Sequence, residues 1–508
     1  MSAVTLVRGR FVVAASDRPV LADAAVVVNG DSITDVIGWE EARARHPGAV
    51  VIGSDRSAVL PGFVNAHHHG QAATSVQQGL PEDLLEPWLF SWAGRRQRDR
   101  YFDTLLSGAR LLSTGVTTTV DMWSDGGDAG TFAESVRAAR RGYGEAGIRV
   151  AFAPGIKTQS FLVWGAGEDQ RFIDALPGDL PASASRLLPA SNLSEDDYLD
   201  LMADLGREAA ADPRFDLWYG IPGPQWVSDA FMQRIAEQAE SADTGIQTHV
   251  DESLYEKLHG PRFYGRDTIL HLEALGILSP RFSIAHGVWL TELEIAAMAR
   301  TGAAVSHNPG SNLRLFAGIA PVNQLRAAGV TVGLGMDATT INDDEDMFVE
   351  MRLALRLNRD PASSAPAMSP ADALGLATLG GARLLRKEDR LGRLEPGYAA
   401  DLVVVDLNRI AEPWAAPECD PLSLVVLRAD RRDVRTVMVA GEVVWRDGAP
   451  TRFDLAAAGE AFAGRMAWTP VPSAEAETVR RLLPYLRDWY AHWPVPKPDP
   501  YVVYNSRV

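Results

Sequence analysis

Apolar and polar residues alternate along Met1 to Val13, and the opening of the chain reads as short strands, Val4 to Ala14, Ala25 to Asn29 and Ser32 to Ile37, separated by turn residues such as Asn29-Gly30-Asp31. The pattern predicts a small β unit over residues 1–57. From Leu60 to Leu385 short apolar runs alternate with longer stretches of helical spacing, the signature of parallel strands joined by crossover helices. Eight runs fit strands: Val59–Ala66, Thr117–Met122, Val150–Ala153, Leu217–Ile221, Ile246–His249, Phe282–His286, Ala304–His307 and Val330–Met336. Eight such strands predict an α/β fold, a (β/α)8 TIM barrel over residues 58–386, with its site at the strands' C-terminal ends. The strand pattern returns at Leu402–Val405 and Val434–Val444, with Ala440-Gly441 as a turn. Residues 387–450 are therefore expected to join residues 1–57 in one small composite β-sandwich domain. Residues 451–508 read as a docking helix within Ala456–Trp493, with Val479, Leu482, Leu483 and Leu486 on one face and Ser473 as cap, then an extended arm beyond Pro494.

Length agrees with this division, because 508 residues exceed what one hydrophobic core organises. A hydrophobic content of 46% and a charged content of 23% are those of a globular protein rather than a disordered or fibrous one. The net charge of -17 argues against a nucleic-acid surface and against an anionic membrane surface. A single cysteine, Cys419, excludes an intramolecular disulfide and fits the cytoplasm. Met1 to Val13 carries Arg8 and Arg10 and has no signal-peptide pattern, and no run approaches a membrane span. The expected partners are a small-molecule substrate and a second copy of the chain in a homodimer.

Chemistry enters where the apolar runs stop. In Asn65-Ala66-His67-His68-His69-Gly70, alternation puts His67 and His69 on one side of a strand and His68 on the other. Two imidazoles converging at the end of a barrel strand suit a divalent metal. With ten histidines in the chain a His-x-His pair arises easily by chance, so its weight comes from its place. The second element is His249-Val250-Asp251-Glu252, where His249 ends an apolar run and Glu252 can fold back over the same point. Alone, His249 would be an ordinary core residue and Glu252 a solvated acid. His286, His307-Asn308 and Asp337 follow at the ends of further runs. Polar residues at the ends of strands one, five, six, seven and eight are hard to explain as independent core residues.

The order and context of these residues resemble the amidohydrolase superfamily, in the aminohydrolase subgroup that includes S-adenosylhomocysteine, guanine and cytosine deaminases and triazine hydrolases. The resemblance covers nearly the whole chain. It implies a metal held by His67, His69, His249, His286 and Asp337. The family's His-x-x-Glu matches His249 to Glu252, and its His-Asn-Pro-x-Ser-Asn-x-Lys-Leu stretch matches His307 to Leu315, with Arg314 in place of Lys. Leu391-Gly392-Arg393-Leu394-Glu395-Pro396-Gly397 matches the flanking β signature. Two-metal relatives bridge their ions with a carboxylated Lys near strand four, and Phe215 to Ser228 contains no Lys. One metal, Zn²⁺ or alternatively Fe²⁺, is expected. Ala338 stands where purine-type deaminases commonly carry Gly or Ser.

A zinc ion held by imidazoles and a carboxylate, with one position left to water, lowers that water's pKa to about 7. Glu252 is expected to shuttle the proton to the leaving nitrogen, His286 or Asp337 to orient the nucleophile, and His307 with Asn308 to contact substrate. Trp88, Trp123, Gln225 and Trp226 lie in or near the loops and either meet a planar ring or belong to the core. Three activities fit: deamination of an amino-substituted heterocycle, hydrolysis of an amide, urea, carbamate or aryl-halide bond, and a catalytically silent scaffold. Silent members usually lose ligands, and here all five positions are filled.

Overall fold

A computed structural model describes residues 4–80, 82–124, 127–189, 192–359 and 368–493. Its strands, in chain order, are β1 (Thr5–Val12), β2 (Leu21–Asn29), β3 (Ser32–Gly38), β4 (Val50–Pro61), β5 (Phe63–His68), β6 (Val116–Ser124), β7 (Arg149–Gly155), β8 (Phe215–Leu217), β9 (Tyr219–Ile221), β10 (Ile246–Val250), β11 (Phe282–His286), β12 (Ala304–His307), β13 (Val332–Leu334), β14 (Leu402–Asp406), β15 (Val434–Val439), β16 (Glu442–Arg446) and β17 (Ala449–Pro450).

Both chain ends meet in one eight-stranded sheet, ordered β17-β16-β15-β14-β4-β1-β2-β3. β1 and β4 run parallel, and every other pairing in it is antiparallel. Ala440 and Gly441 take φ of 49° and 75°, the left-handed pair that a two-residue hairpin turn between β15 and β16 demands. Val7, Val26, Val59, Leu402, Val404 and Met438 cluster in the core of this sheet, and the short helix Trp39–Arg45 covers part of it. An ion pair from Arg149 at the start of β7 to Asp401 beside β14, at 2.7 Å, ties the sheet to the rest of the molecule.

The middle of the chain is α/β. β5-β6-β7-β8 form one parallel sheet and β9-β10-β11-β12-β13 another, with helices between successive strands. Their runs are buried almost throughout, as strands covered on both faces are. Two expectations need correction. The run placed at Val59–Ala66 is two strands broken at Gly62, Val59 and Leu60 belonging to the end sheet through β4. A Cβ at Gly62 would lie 2.2 Å from Thr117 Oγ1, so only glycine lets the chain change sheets there. The run Leu217–Ile221 is likewise two short strands, β8 on one sheet and β9 on the other, with Trp218 N–H bonded across to Phe152 O at 2.8 Å. Opposite this junction, the amides of Met336 and Asp337 donate to His67 O at 3.2 and 3.0 Å, so backbone hydrogen bonds tie the segment that follows β13 to β5 as well.

The stretch Ala456–Trp493 holds two helices, Leu455–Trp468 and Ser473–Ala491, separated by the prolines at 470 and 472. Ser473 does not cap: Pro472 occupies that position without a side-chain bond. Val479, Leu482 and Leu486 are buried as the spacing suggests, whereas Leu483 is only half-buried. The expected arm beyond Pro494 lies outside the described residues.

Candidate active site

His67 and His69 sit at the end of β5, His249 near the end of β10, His286 at the end of β11 and Asp337 three residues beyond β13. Parallel register brings His249 opposite Ala285 and Val250 opposite His286, so these ends lie level. His286 and Asp337 take φ of 76° and 55°, left-handed backbone that costs on the order of 1 to 3 kcal/mol at a non-glycine residue and concentrates at functional sites. His68 points the other way, its Nε2 3.3 Å from Glu345 Oε2, while Arg110 reaches Glu345 Oε1 at 2.8 Å.

Each of the four imidazoles is held the same way. The Nδ1–H of His67 donates to Gln247 Oε1 at 2.8 Å, of His69 to Met122 O at 2.6 Å, of His249 to Pro222 O at 2.6 Å, and of His286 to Asn312 Oδ1 at 2.8 Å. Four carbonyl acceptors fix the Nδ1–H tautomer, so every Nε2 presents a lone pair to the centre. Burial lowers the basicity of all four rings, that of His69 to about 3, which keeps them neutral and able to ligate. Burial alone would raise Asp337, but the fields of His69, His286 and His67 outweigh it and hold the carboxylate low.

The donors converge. His67 with His249 and His286, His67 with His69 and Asp337, and Glu252 with His286 and Asp337 form three overlapping groups whose ligand atoms lie within 4.8 Å of one another. His69 Nε2 and His249 Nε2 are 3.1 Å apart. Two buried lone pairs so close repel unless a cation sits between them, and tetrahedral ligands at about 2.1 Å from zinc stand roughly 3.4 Å apart. His67 Nε2 and His286 Nε2 are buried without a hydrogen-bond partner, as nitrogens that ligate a metal are. The donor set therefore fits one divalent metal.

Glu252 stands beside this centre, its Oε2 3.4 Å from His286 Nε2 and its Oε1 buried without a partner. Burial, then the neighbouring charges of Glu256, Asp337 and Glu86, push its carboxyl well above the usual range, so it holds a proton readily. A cavity of ≈ 200 Å³ opens on Glu252, His69, His249 and Asp337, with Trp88 and Trp226 in its wall. Three other residues expected to contact substrate are not among those lining this cavity. Gln225 is buried with its amide donated to Glu256 Oε1 at 2.9 Å, Asn308 accepts from Ser306 Oγ at 2.9 Å, and His307 is buried outside the cavity lining. Sequence reasoning missed Lys157, Arg95 and Trp92 on the wall; Trp92 and the Arg95-Arg96-Gln97-Arg98 run that follows it were the available signal.

The amidohydrolase family model matches residues 58–444. The chain is 33% identical over 450 residues to the 5-methylthioadenosine/S-adenosylhomocysteine deaminase of Nitratidesulfovibrio vulgaris, covering 87% of this chain and 91% of that one. It is 29% identical over 435 residues to the 5'-deoxyadenosine deaminase of Methanosarcina mazei, covering 83% and 88%. Among solved structures, an adenosine deaminase from Xanthomonas campestris with bound zinc superposes with a TM-score of 0.77 at 28% identity, over 92% of this chain and 99% of that one. A zinc complex of the atrazine chlorohydrolase from Arthrobacter aurescens shares the fold, with a TM-score of 0.74 at 22% identity over 91% of this chain and 100% of that one.

Proposed function

This chain belongs to the amidohydrolase family, and from that membership and the geometry of Glu252 we propose that it removes the ring amino group of an adenosine-like nucleoside. It is a metal-dependent aminohydrolase acting on a heterocycle, at a C–N bond other than a peptide bond. The observation that carries the finer reading is a buried carboxyl 3.4 Å from His286 Nε2, its basicity raised by burial so that it can accept a proton and give it up again, facing a cavity walled by tryptophans.

His67, His69, His249, His286 and Asp337 would hold one divalent ion, most simply zinc, as the overlap of the three donor groups supports. When bound, that ion supplies an activated water as nucleophile at neutral pH. Glu252 takes a proton from the attacking water and passes it to the departing nitrogen, so that water and an amine become a ring carbonyl and ammonia. Asp337, kept ionised by the imidazoles and accepting from Ser311 Oγ at 2.5 Å, orients the nucleophile. Trp88 and Trp226 clasp the planar ring.

The same proposal includes the closed (β/α)8 barrel, supported by the backbone hydrogen bonds that link the two parallel sheets, and the division at residues 57, 386 and 450. A sandwich at the chain ends is supported by the apolar cluster the end sheet encloses. No helix among the described residues is long and apolar enough to cross a membrane; cytoplasmic residence and a homodimer remain part of the proposal. The test is ammonia release by the zinc-loaded enzyme across adenosine-type nucleosides, free aminopurines, pyrimidines, amides and chlorotriazines. Ammonia from the nucleosides is expected. Cleavage of amide or carbon–halide bonds with no ammonia from any nucleoside would overturn the reading.

A further inference from the structure

Glu252 lies in the short loop between β10 and the helix Leu254–His259, where its direction depends on bonds made by its neighbours. Ser253 caps that helix, its Oγ accepting from Glu256 N–H at 3.1 Å. In the capping boxes at Thr291, Ser369 and Asp430, the acid three residues on returns a bond to the backbone N–H of the cap itself. Glu256, three residues after Ser253, does otherwise. Its Oε2 reaches past the cap and accepts from the N–H of Glu252 at 2.8 Å. The acid that would ordinarily close the helix end is turned onto the residue beside the metal centre.

Glu256 is itself held. Its buried carboxyl accepts at Oε1 from the Gln225 amide at 2.9 Å. The same stretch of chain supplies the Pro222 carbonyl that fixes the His249 tautomer and the Trp226 ring in the cavity wall. Ser253 Oγ in turn donates to Glu86, two residues before Trp88 on the helix Leu85–Ser91. Burial drives the Glu256 carboxyl up to about 7 while its two N–H donors pull the other way. Although Glu256 borders the cavity, both its oxygens already accept from protein N–H groups, an arrangement for holding a neighbour rather than for meeting substrate.

We propose that Glu256 is a positioning residue for the reaction: by holding the Glu252 N–H it sets where the Glu252 carboxyl stands against the nucleophile and the departing nitrogen. The inference rests on the reading of Glu252 as the proton carrier. Proton transfer needs heavy atoms within about 2.6 to 3.2 Å of one another, and a displacement of about 1 Å can cost on the order of 10²-fold in rate.

Glu256→Gln has one oxygen for two donors, so either the Glu252 N–H or the Gln225 amide is left facing an NH2. The zinc-loaded protein is assayed with its fastest substrate among nucleosides, aminopurines, pyrimidines, amides and chlorotriazines. This variant should lose roughly 10- to 100-fold in kcat, with KM and zinc content nearly unchanged. Combining it with Gln225→Glu exchanges the partners: the amide at 256 donates to the carboxylate at 225 while its oxygen accepts from Glu252, and most of the lost kcat should return. Added to Glu252→Gln, the Glu256→Gln change should slow the enzyme little further, because the group it aims no longer carries a proton. Crystal structures of wild type and Glu256→Gln read placement without turnover, and the Glu252 carboxyl should leave its position beside His286. Near-wild-type turnover by Glu252→Gln would overturn the shuttle reading and this role with it. A slow Glu252→Gln beside an unimpaired Glu256→Gln would overturn the role alone. So would an unmoved Glu252 in Glu256→Gln, or an equal slowing of the wild-type and Glu252→Gln enzymes by that change.

Discussion

Gln247 touches neither substrate nor metal-facing nitrogen, yet the centre depends on it. Its fully buried carboxamide accepts from His67 Nδ1–H at 2.8 Å and donates to Ala66 O at 3.0 Å. Gln247→Leu fills similar space and removes both bonds, together with a longer one to Ser283 Oγ at 3.4 Å. The orphaned imidazole N–H and backbone carbonyl should cost about 1 to 3 kcal/mol each, so the metal-free protein loses roughly 2 to 6 kcal/mol of stability. The released His67 ring no longer has its tautomer fixed, and loss of such a partner typically weakens metal binding about 10- to 100-fold. Gln247→Glu keeps an acceptor for Nδ1–H and should hold metal at least as firmly as wild type. Chelator competition with elemental analysis reads affinity, and thermal unfolding of the metal-free forms reads stability. If Gln247→Leu surrendered zinc at the wild-type chelator concentration, tautomer fixing by this bond would not be what prepares His67.

Three further outcomes are expected. Glu252→Gln preserves shape but cannot carry the proton, so turnover should drop roughly 10²-fold or more with metal content retained, whereas His249→Ala should lose both metal and activity; near-normal turnover in Glu252→Gln would assign the proton to another group. Gly335→Ala would set a Cβ 2.1 Å from Asn308 Oδ1 and 3.1 Å from His67 Cβ, so zinc affinity and melting temperature should both decline, and an unchanged chelator midpoint would refute the crowding. Glu350, whose carboxyl burial pushes up to about 8, favours the folded state while protonated, so its contribution is complete below about 4.5 and is lost as pH rises through about 8. The melting temperature of Glu350→Gln should therefore fall less than that of wild type between pH 5 and 9, and parallel slopes would count against the shift.

The strand-end histidines were legible because parallel strands run apolar to their last residue, and a polar side chain at that point stands out. Alternation also separated His68 from its neighbours, and the structure gives it Glu345 instead. What the pattern could not convey was where long side chains bend once a neighbour is available. Gln225 follows a β run, as a substrate-contacting residue would, but its amide is taken by Glu256 from the next loop. Nor does periodicity foresee that Trp218 splits one run between two sheets, since Leu217-Trp218-Tyr219-Gly220-Ile221 carries no charged residue to mark a break. The cavity wall is set by distant chain: Tyr490 Oη accepts from Trp164 N–H at 3.1 Å, and Val479, Leu482 and Leu486 pack in one cluster with Trp88 and Trp226. Only the tertiary fold brings the C-terminal helix there.

The end sheet also imposes an order in time. β4 pairs on one side with β1, already made when β4 emerges, and on the other with β14, where Pro61 meets Leu402, roughly 340 residues later. At about 5 to 20 residues per second, a ribosome needs on the order of twenty seconds to a minute to deliver that second partner. Throughout that interval the nascent chain carries an open strand edge from Ser57 to Pro61, a template for mispairing with other chains. Such a protein should depend on holding factors during synthesis more than its final stability suggests. A fragment released before residue 402 would keep that edge exposed for good.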